Sequence, residues 1–162
     1  MTKVITVELS DKGIDNAIKE LKAYKQWVEL KEKELRERLA ALGATVASIQ
    51  FSRAIYNGTN DVTVRVEDNG SVAVIYAEGE SVAFIEFGSG AKYGYGHPQA
   101  GEFGVGPGTY PDGKGHWDNP KGWWYGHGQH SYGNPPAMAM YNAVQRITEQ
   151  VTTIAKEVFA KQ

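Results

Sequence analysis

The stretch Val62-Thr63-Val64-Arg65-Val66-Glu67-Asp68-Asn69-Gly70-Ser71-Val72-Ala73-Val74-Ile75-Tyr76 decides the fold of this chain. Apolar residues alternate with polar ones at 62, 64 and 66 and recur at 72, 74 and 76, the period of a half-buried strand. Between the two runs, Asn69-Gly70 is the strongest short hairpin signal, because tight hairpin turns need φ > 0 at their central positions. An antiparallel hairpin is therefore the centre of the reading, with Val64 and Val74 expected in the core. Upstream, Ile49 to Tyr56 reads as a third strand, and residues 3–9 read as a short strand at the start of the chain. Downstream, Val82-Ala83-Phe84-Ile85-Glu86-Phe87 is apolar enough for burial but too short for its period to separate helix from strand.

Helical patterns flank this region. Ser10 or Asp11 can N-cap a helix over about 11–42, and Gly43 can end it in the left-handed conformation. Ile14, Leu21, Val28, Leu35 and Leu42 recur every seven residues. Ile18 and Leu39 fill the second heptad position at the ends, while Lys25 and Glu32 interrupt it in the middle. Some thirty residues make a helix of about 45 Å, longer than a small domain is wide, so part of it should protrude or lie against a neighbouring subunit. Tyr24, Trp27 and Leu30 form a second apolar strip, suited either to the edge of the chain's own sheet or to an oligomer contact. A second helix is expected over about 135–160, with Asn134 as its cap and Pro135 at its first position. Its apolar face is Ala137, Met140, Val144, Ile147, Val151, Ile154 and Val158.

The expected fold is a single α+β domain over residues 1–162, a small antiparallel sheet packed by a long N-terminal helix and a C-terminal helix. The sheet spans about 49–87, and a Gly/aromatic insertion occupies 88–134. The expected core is Ile14, Leu21, Val28, Leu35, Val64, Val74, Phe84, Met140, Val144 and Val151.

Composition narrows the function. Seventeen basic and nineteen acidic residues leave a net charge of −2, which argues against a general nucleic-acid binder relying on phosphate attraction. The absence of cysteine excludes disulfides, thiolate chemistry and cysteine zinc sites. No apolar signal region opens the chain and no long apolar run follows, so a soluble protein kept in the cytoplasm is expected. Glycine is the outlier: 14 of the 19 glycines lie between Gly88 and Gly133, with all four histidines and three of the four tryptophans, so this segment must carry part of the function.

Catalytic readings of that segment are weak. Glu86, Glu102, Asp112 and Asp118 near Trp117, Trp123 and Trp124 suggest a carbohydrate-binding or glycan-cleaving module, but nothing fixes two carboxylates at a working separation. His97, His116, His127 and His130 suggest a metal-dependent hydrolase, but no HExxH or comparably specific spacing is present. Gly88-Ser89-Gly90-Ala91-Lys92 lacks the Gly-Lys-Ser/Thr ending of a phosphate loop. Ser89 and Ser131 lack the context of a nucleophile elbow. Glycine for tight backbone turns, with Tyr and Trp for contact area, fits adhesion better than catalysis. The candidate contact residues are Tyr24, Trp27, Leu30, Trp117, Trp123, Trp124 and Tyr125.

The order of motifs carries a resemblance. After the strand, long helix and hairpin come Ala83-Phe84-Ile85-Glu86-Phe87-Gly88-Ser89-Gly90 and a Gly/aromatic insertion with Gly122-Trp123-Trp124-Tyr125. Then follow His127-Gly128-Gln129 and Asn134-Pro135-Pro136-Ala137-Met138. This arrangement resembles the tail-completion, or neck, proteins of long-tailed bacteriophages, the head–tail joining and minor tail components. Their usual glutamate-phenylalanine-glycine-threonine-glycine run has Ser89 in place of threonine here. Pro135-Pro136-Ala137-Met138-Ala139-Met140 replaces their usual proline-phenylalanine pairing.

The resemblance implies a structural virion protein with no catalysis and no cofactor, assembled in the host cytoplasm. It implies a homo-oligomeric ring, usually sixfold, that joins the tail to a DNA-filled head. The implied partners are head-completion or connector proteins and tail terminator or tail-tube proteins, with DNA passing unbound and no membrane involved. Between Gly43 and Phe87 two basic residues (Arg53, Arg65) face six acidic ones (Asp61, Glu67, Asp68, Glu78, Glu80, Glu86), as would suit a channel that does not grip phosphate or simply a solvated sheet surface.

Overall fold

The computed structural model describes residues 4–90, 92–93, 96–105, 119–125 and 128–160. It is α+β. Helix α1 (Asp11–Ser52) leads to a hairpin of β1 (Thr63–Asp68) and β2 (Ala73–Glu78), followed by α2 (Val82–Phe87) and α3 (Ala100–Phe103). A second, shorter hairpin of β3 (Trp123–Tyr125) and β4 (Gln129–Ser131) precedes α4 (Ala139–Ala160). No helix among the described residues is long and apolar enough to cross a membrane.

The 42 residues of α1 make a rod of about 63 Å. Its start follows the sequence: the Ser10 hydroxyl accepts the Gly13 amide at 3.1 Å, satisfying one first-turn donor. Its end does not. Gly43, expected to stop the helix, is buried inside it, and a Cβ there would lie 2.6 Å from both Ile147 Cδ1 and Ile75 Cδ1. The missing side chain lets α1, α4 and β2 meet at one point. That packing outweighs the roughly 1 kcal/mol by which glycine disfavours a helix interior. The helix therefore continues through Ile49, and the third strand expected over Ile49 to Tyr56 is instead its last turn followed by an irregular exit. Asn60 Nδ2 donates to the Phe51 carbonyl at 2.8 Å, serving one of the unpaired acceptors at that end. No strand forms over residues 4–9 either.

The central hairpin is present, with Val64 opposite Ala77 and Val66 opposite Ile75. Cross-strand partners share a face, so Val64, Ala77 and Ile75 point toward α1, while Arg65 and Tyr76 point away with the guanidinium 4.2 Å from the ring centroid. Val74 therefore lies on the outer face and is 39% exposed, contrary to its expected core position. The inward set on β2 is Ala73, Ile75 and Ala77: the all-apolar run 72–77 offered either face, and pairing with β1 chose the odd one. At the turn only Gly70 takes positive φ, at +90°. The Asn69 side chain organises the rest by accepting the Ser71 and Val72 amides at 3.0 and 2.9 Å.

The core gathers at the C-terminal end of α1. Ala47, Phe51, Ile85, Ala139 and Ala143 are buried together, with Val46, Val62, Val64, Val82 and Met140 packed around them. At this end of α1 the buried line is Ala40, Gly43, Ala47 and Phe51, a helical spacing of small residues ending in one large one, and Ala17 is buried separately near the start. The expected heptad seam is only partly used. Val28 and Leu35 are half-buried, as are Phe84 and Met140, but Ile14, Leu21, Val144 and Val151 are exposed.

Helix α4 runs antiparallel to α1, from Ile147 at Gly43 to Phe159 at Trp27. It begins at Ala139 rather than 135, and Asn134 is not its cap. The first turns of α1, from Asp11 on, extend about 24 Å beyond Trp27.

Candidate functional site

The two motifs that carried the resemblance meet face to face. Ser89 and Asn134 exchange both backbone hydrogen bonds at 3.0 Å, forming an isolated antiparallel bridge. The Ser89 hydroxyl donates to Asn134 Oδ1 at 2.5 Å, and Asn134 Nδ2 donates to the Phe84 carbonyl at 2.8 Å. Both residues are buried. The flanking glycines make this approach possible: Gly90 and Gly133 have φ of +83° and +102°, and a Cβ on either would lie 2.7 Å from the other's Cα. The Glu86-Phe87-Gly88-Ser89-Gly90 run is thus one half of a backbone clasp, and Asn134 with Pro135 and Pro136 is the other.

Glu86 completes the clasp electrostatically. Its carboxylate accepts the Met140 amide at 3.1 and 3.0 Å and the Tyr141 amide at 3.0 Å, so it caps the N-terminus of α4 where Asn134 was expected to. A buried anion is stable there because it meets unpaired amides and the positive end of the helix dipole. Met138, just before α4, has φ of +52°, the only non-glycine in that region among the described residues. Its amide donates to the Glu86 carbonyl at 3.2 Å, so the same residue holds the strained entry. His97 stands 3.3 Å from Glu86 Oε1 through Nε2, while its Nδ1 accepts the Gln99 amide at 3.1 Å. That amide makes Nδ1 the acceptor, leaving Nε2 as the N–H that donates to Glu86.

Above this pair lies an open, mostly apolar groove of about 340 Å³, walled by Phe87, Phe103, Tyr141, Val144 and Val82. Phe87 packs on His97 at 4.4 Å between ring centroids and on Phe103 at 5.8 Å. Phe103 and Val144 remain exposed at the groove.

The aromatic contact candidates fall into separate places. Tyr24 stacks on Trp27 at 5.6 Å, and Trp27 meets Phe159 edge-on at 5.9 Å, so these two cover the end of α4 rather than a sheet edge. Leu30 is exposed. Trp123 turns inward over a small cavity of about 100 Å³ shared with Tyr56, Phe84, Ser89 and Ser131. Trp124, paired across the strand with His130, is 72% exposed. Tyr125 lies in β3 opposite Gln129, and Trp117 falls outside the described residues. Tyr56 stands past the C-terminal end of α1, and 24 residues separate Trp27 from Phe51, so the two aromatic groups sit about 36 Å apart along the helix. They are not one surface.

The enzyme candidates are dispersed as well. Glu86 and His97 are hydrogen-bonded into the clasp. Glu102 is exposed beside Gln99, and Asp112, Asp118, His116 and His127 lie outside the described residues. Among the described residues no three His, Asp or Glu side chains are grouped to hold a metal ion.

The acidic residues of the β region are largely engaged. Asp61 accepts the Glu80 and Ser81 amides at 2.6 and 3.1 Å, Asp68 pairs with Arg36 at 2.9 Å, and Arg65 pairs with both Glu67 and Glu78. The backbone amides of Glu80 and Ser81 hold Asp61 below the usual carboxylate range, and the Gly70 amide and Arg36 do the same for Asp68. The Arg65 guanidinium lowers Glu78 in turn. Arg36 and Arg65 offset part of the negative charge at Asp68, Glu67 and Glu78, while the amides that hold Asp61 leave its charge in place.

Comparison with family models, with characterised proteins and with solved structures finds no match to this chain.

Proposed function

We propose that this chain is a structural assembly subunit of the tail-completion or neck type, acting in a tailed bacteriophage to join tail to DNA-filled head. The observation that carries this reading is the projecting start of α1, where Ile14, Ile18 and Leu21 are 45%, 45% and 54% exposed. A single copy gains nothing by leaving three large aliphatic side chains in water, whereas a subunit of a ring has a neighbour to cover them. The clasp supports the same reading: the run that resembles the neck-protein motif serves to fix the start of α4. Head-completion or connector proteins on one side and tail terminator or tail-tube proteins on the other are the expected partners, and the ring is expected to be sixfold.

The test is genetic and visual. Deleting the gene from the phage that encodes it should leave DNA-filled heads and free tails in electron micrographs, with joining restored by the wild-type protein. Normal virions from the deletion would overturn the assignment.

A further inference from the structure

The exposed stripe on α1 has a charge pattern that selects its occupant. Ile14, Ile18 and Leu21 alternate in steps of four and three, the spacing of a two-helix seam, and Lys25 holds the next seam position. Asp15 and Lys22 flank that seam on one side. Both are exposed, and neither forms an ion pair among the described residues.

We propose that a second copy of this chain covers the projecting tip of α1, the two helices lying antiparallel with Ile18 of each against Leu21 of the other. In that register Asp15 lies beside the partner's Lys22 and Lys22 beside the partner's Asp15, so the twofold contact carries two opposite-charge pairs. Lys25 then meets the partner's Ile14, within a turn of the partner's Asp11 and Asp15. A parallel pair would instead stack Lys25 on the partner's Lys25. The overlap from residue 14 to 25 spans only about 17 Å, too short to bury the roughly 1,200 Å² of a stable interface. The pair therefore forms and separates with concentration. The twofold pair and a head-to-tail ring contact would use the same stripe and exclude each other, so the pair is a state of the free protein. This inference rests on the stripe and its charges and does not require the virion reading.

The full-length protein tests it by sedimentation across a concentration series. The wild type should pass from monomer to dimer. Asp15→Lys or Lys22→Asp alone sets like charges against each other twice and should weaken the dimer about tenfold or more. The double change, D15K with K22D, should restore it. Circular dichroism checks that each variant keeps its helix. Because the chain has no cysteine, introduced thiols report the direction. Ile14→Cys and Lys25→Cys proteins should form disulfides when mixed and oxidised, and neither should with itself. A wild type that stays monomeric, a dimer indifferent to the charge changes, or self-linking of either cysteine variant would overturn the proposal.

Discussion

From Asp11 to Tyr24, α1 carries Ile14, Ile18 and Leu21 and leaves each about half exposed, whereas from Ala40 to Phe51 it buries Ala40, Gly43 and Ala47 almost completely. The half with the larger apolar side chains is the half that leaves them open: between Asp11 and Tyr24 only Ala17 is buried. Burial along this helix follows where α4 and the hairpin lie, and those elements approach most closely where α1 is smallest. Hydrophobicity alone ranks the two halves in the wrong order.

Phe51 gives the largest way to break the contrast. It is the one large side chain on the packed line, 2% exposed and in contact with the core around Ile85 and Ala139. Phe51→Ala should cost about 3–5 kcal/mol, the range for emptying a buried aromatic site. Leu21→Ala removes a residue that looks equally central in the sequence, yet it should change the stability of the monomer by no more than about 0.5 kcal/mol. Denaturant unfolding at low protein concentration measures both, and similar losses for the two would contradict the division of α1 into a packed and a projecting half.

Gly43 sharpens the comparison from the other direction. Gly43→Val adds β-branched bulk where the Cδ1 ends of Ile147 and Ile75 already converge, so both isoleucine side chains must turn aside within a packed contact. Overpacking of this kind should cost about 1–3 kcal/mol, even though valine is the better helix former. A stabilised variant would mean that the glycine serves no close approach.

These positions also show what could be read from the sequence. The hairpin was legible because Asn69-Gly70 acts locally and the strand period survives whatever packs on it. The N-cap at Ser10 was legible for the same reason. Gly43 misled because glycine has two uses, ending a helix and admitting a neighbour, and only the partners Ile147 and Ile75 distinguish them. The face of β2 was misread: residues 72–77 are apolar on both sides, Val74 was expected in the core, and only pairing with β1 shows that Ile75 turns inward instead. The clasp was visible as motifs but not as a contact: Ser89 and Asn134 stand 45 residues apart in the chain, and no spacing rule links them. Glu86 was grouped with Glu102, Asp112 and Asp118 as a candidate acid or base beside the segment's tryptophans; its partners are amides at the start of α4, which the sequence placed four residues too early.

The boundary between the two halves of α1 gives the smallest effect and tests it without changing any core residue. Arg36 reaches from α1 to Asp68 at the end of β1, with Nε 3.0 and 2.9 Å from its two carboxylate oxygens. The Gly70 amide and Arg36 lower the Asp68 carboxyl below its ordinary value of 3.8, and Asp61 and Glu78 are lowered in the same direction by their own partners. A carboxyl with a depressed folded pKa contributes its full stabilisation above the unfolded pKa and loses it as pH falls through the folded value. The thermal midpoint should therefore hold steady from pH 7 to about 5 and decline below about pH 4 as these groups take up protons. Asp68→Asn should lower the midpoint slightly at neutral pH and shallow the acid decline, because one of the titrating contributions is gone. Water and salt screen these surface pairs, so raising the ionic strength should shrink the difference between wild type and Asp68→Asn. An acid profile unchanged by Asp68→Asn would show that Arg36 does not anchor the hairpin to α1, and that the packed half is held by Gly43 and the core alone.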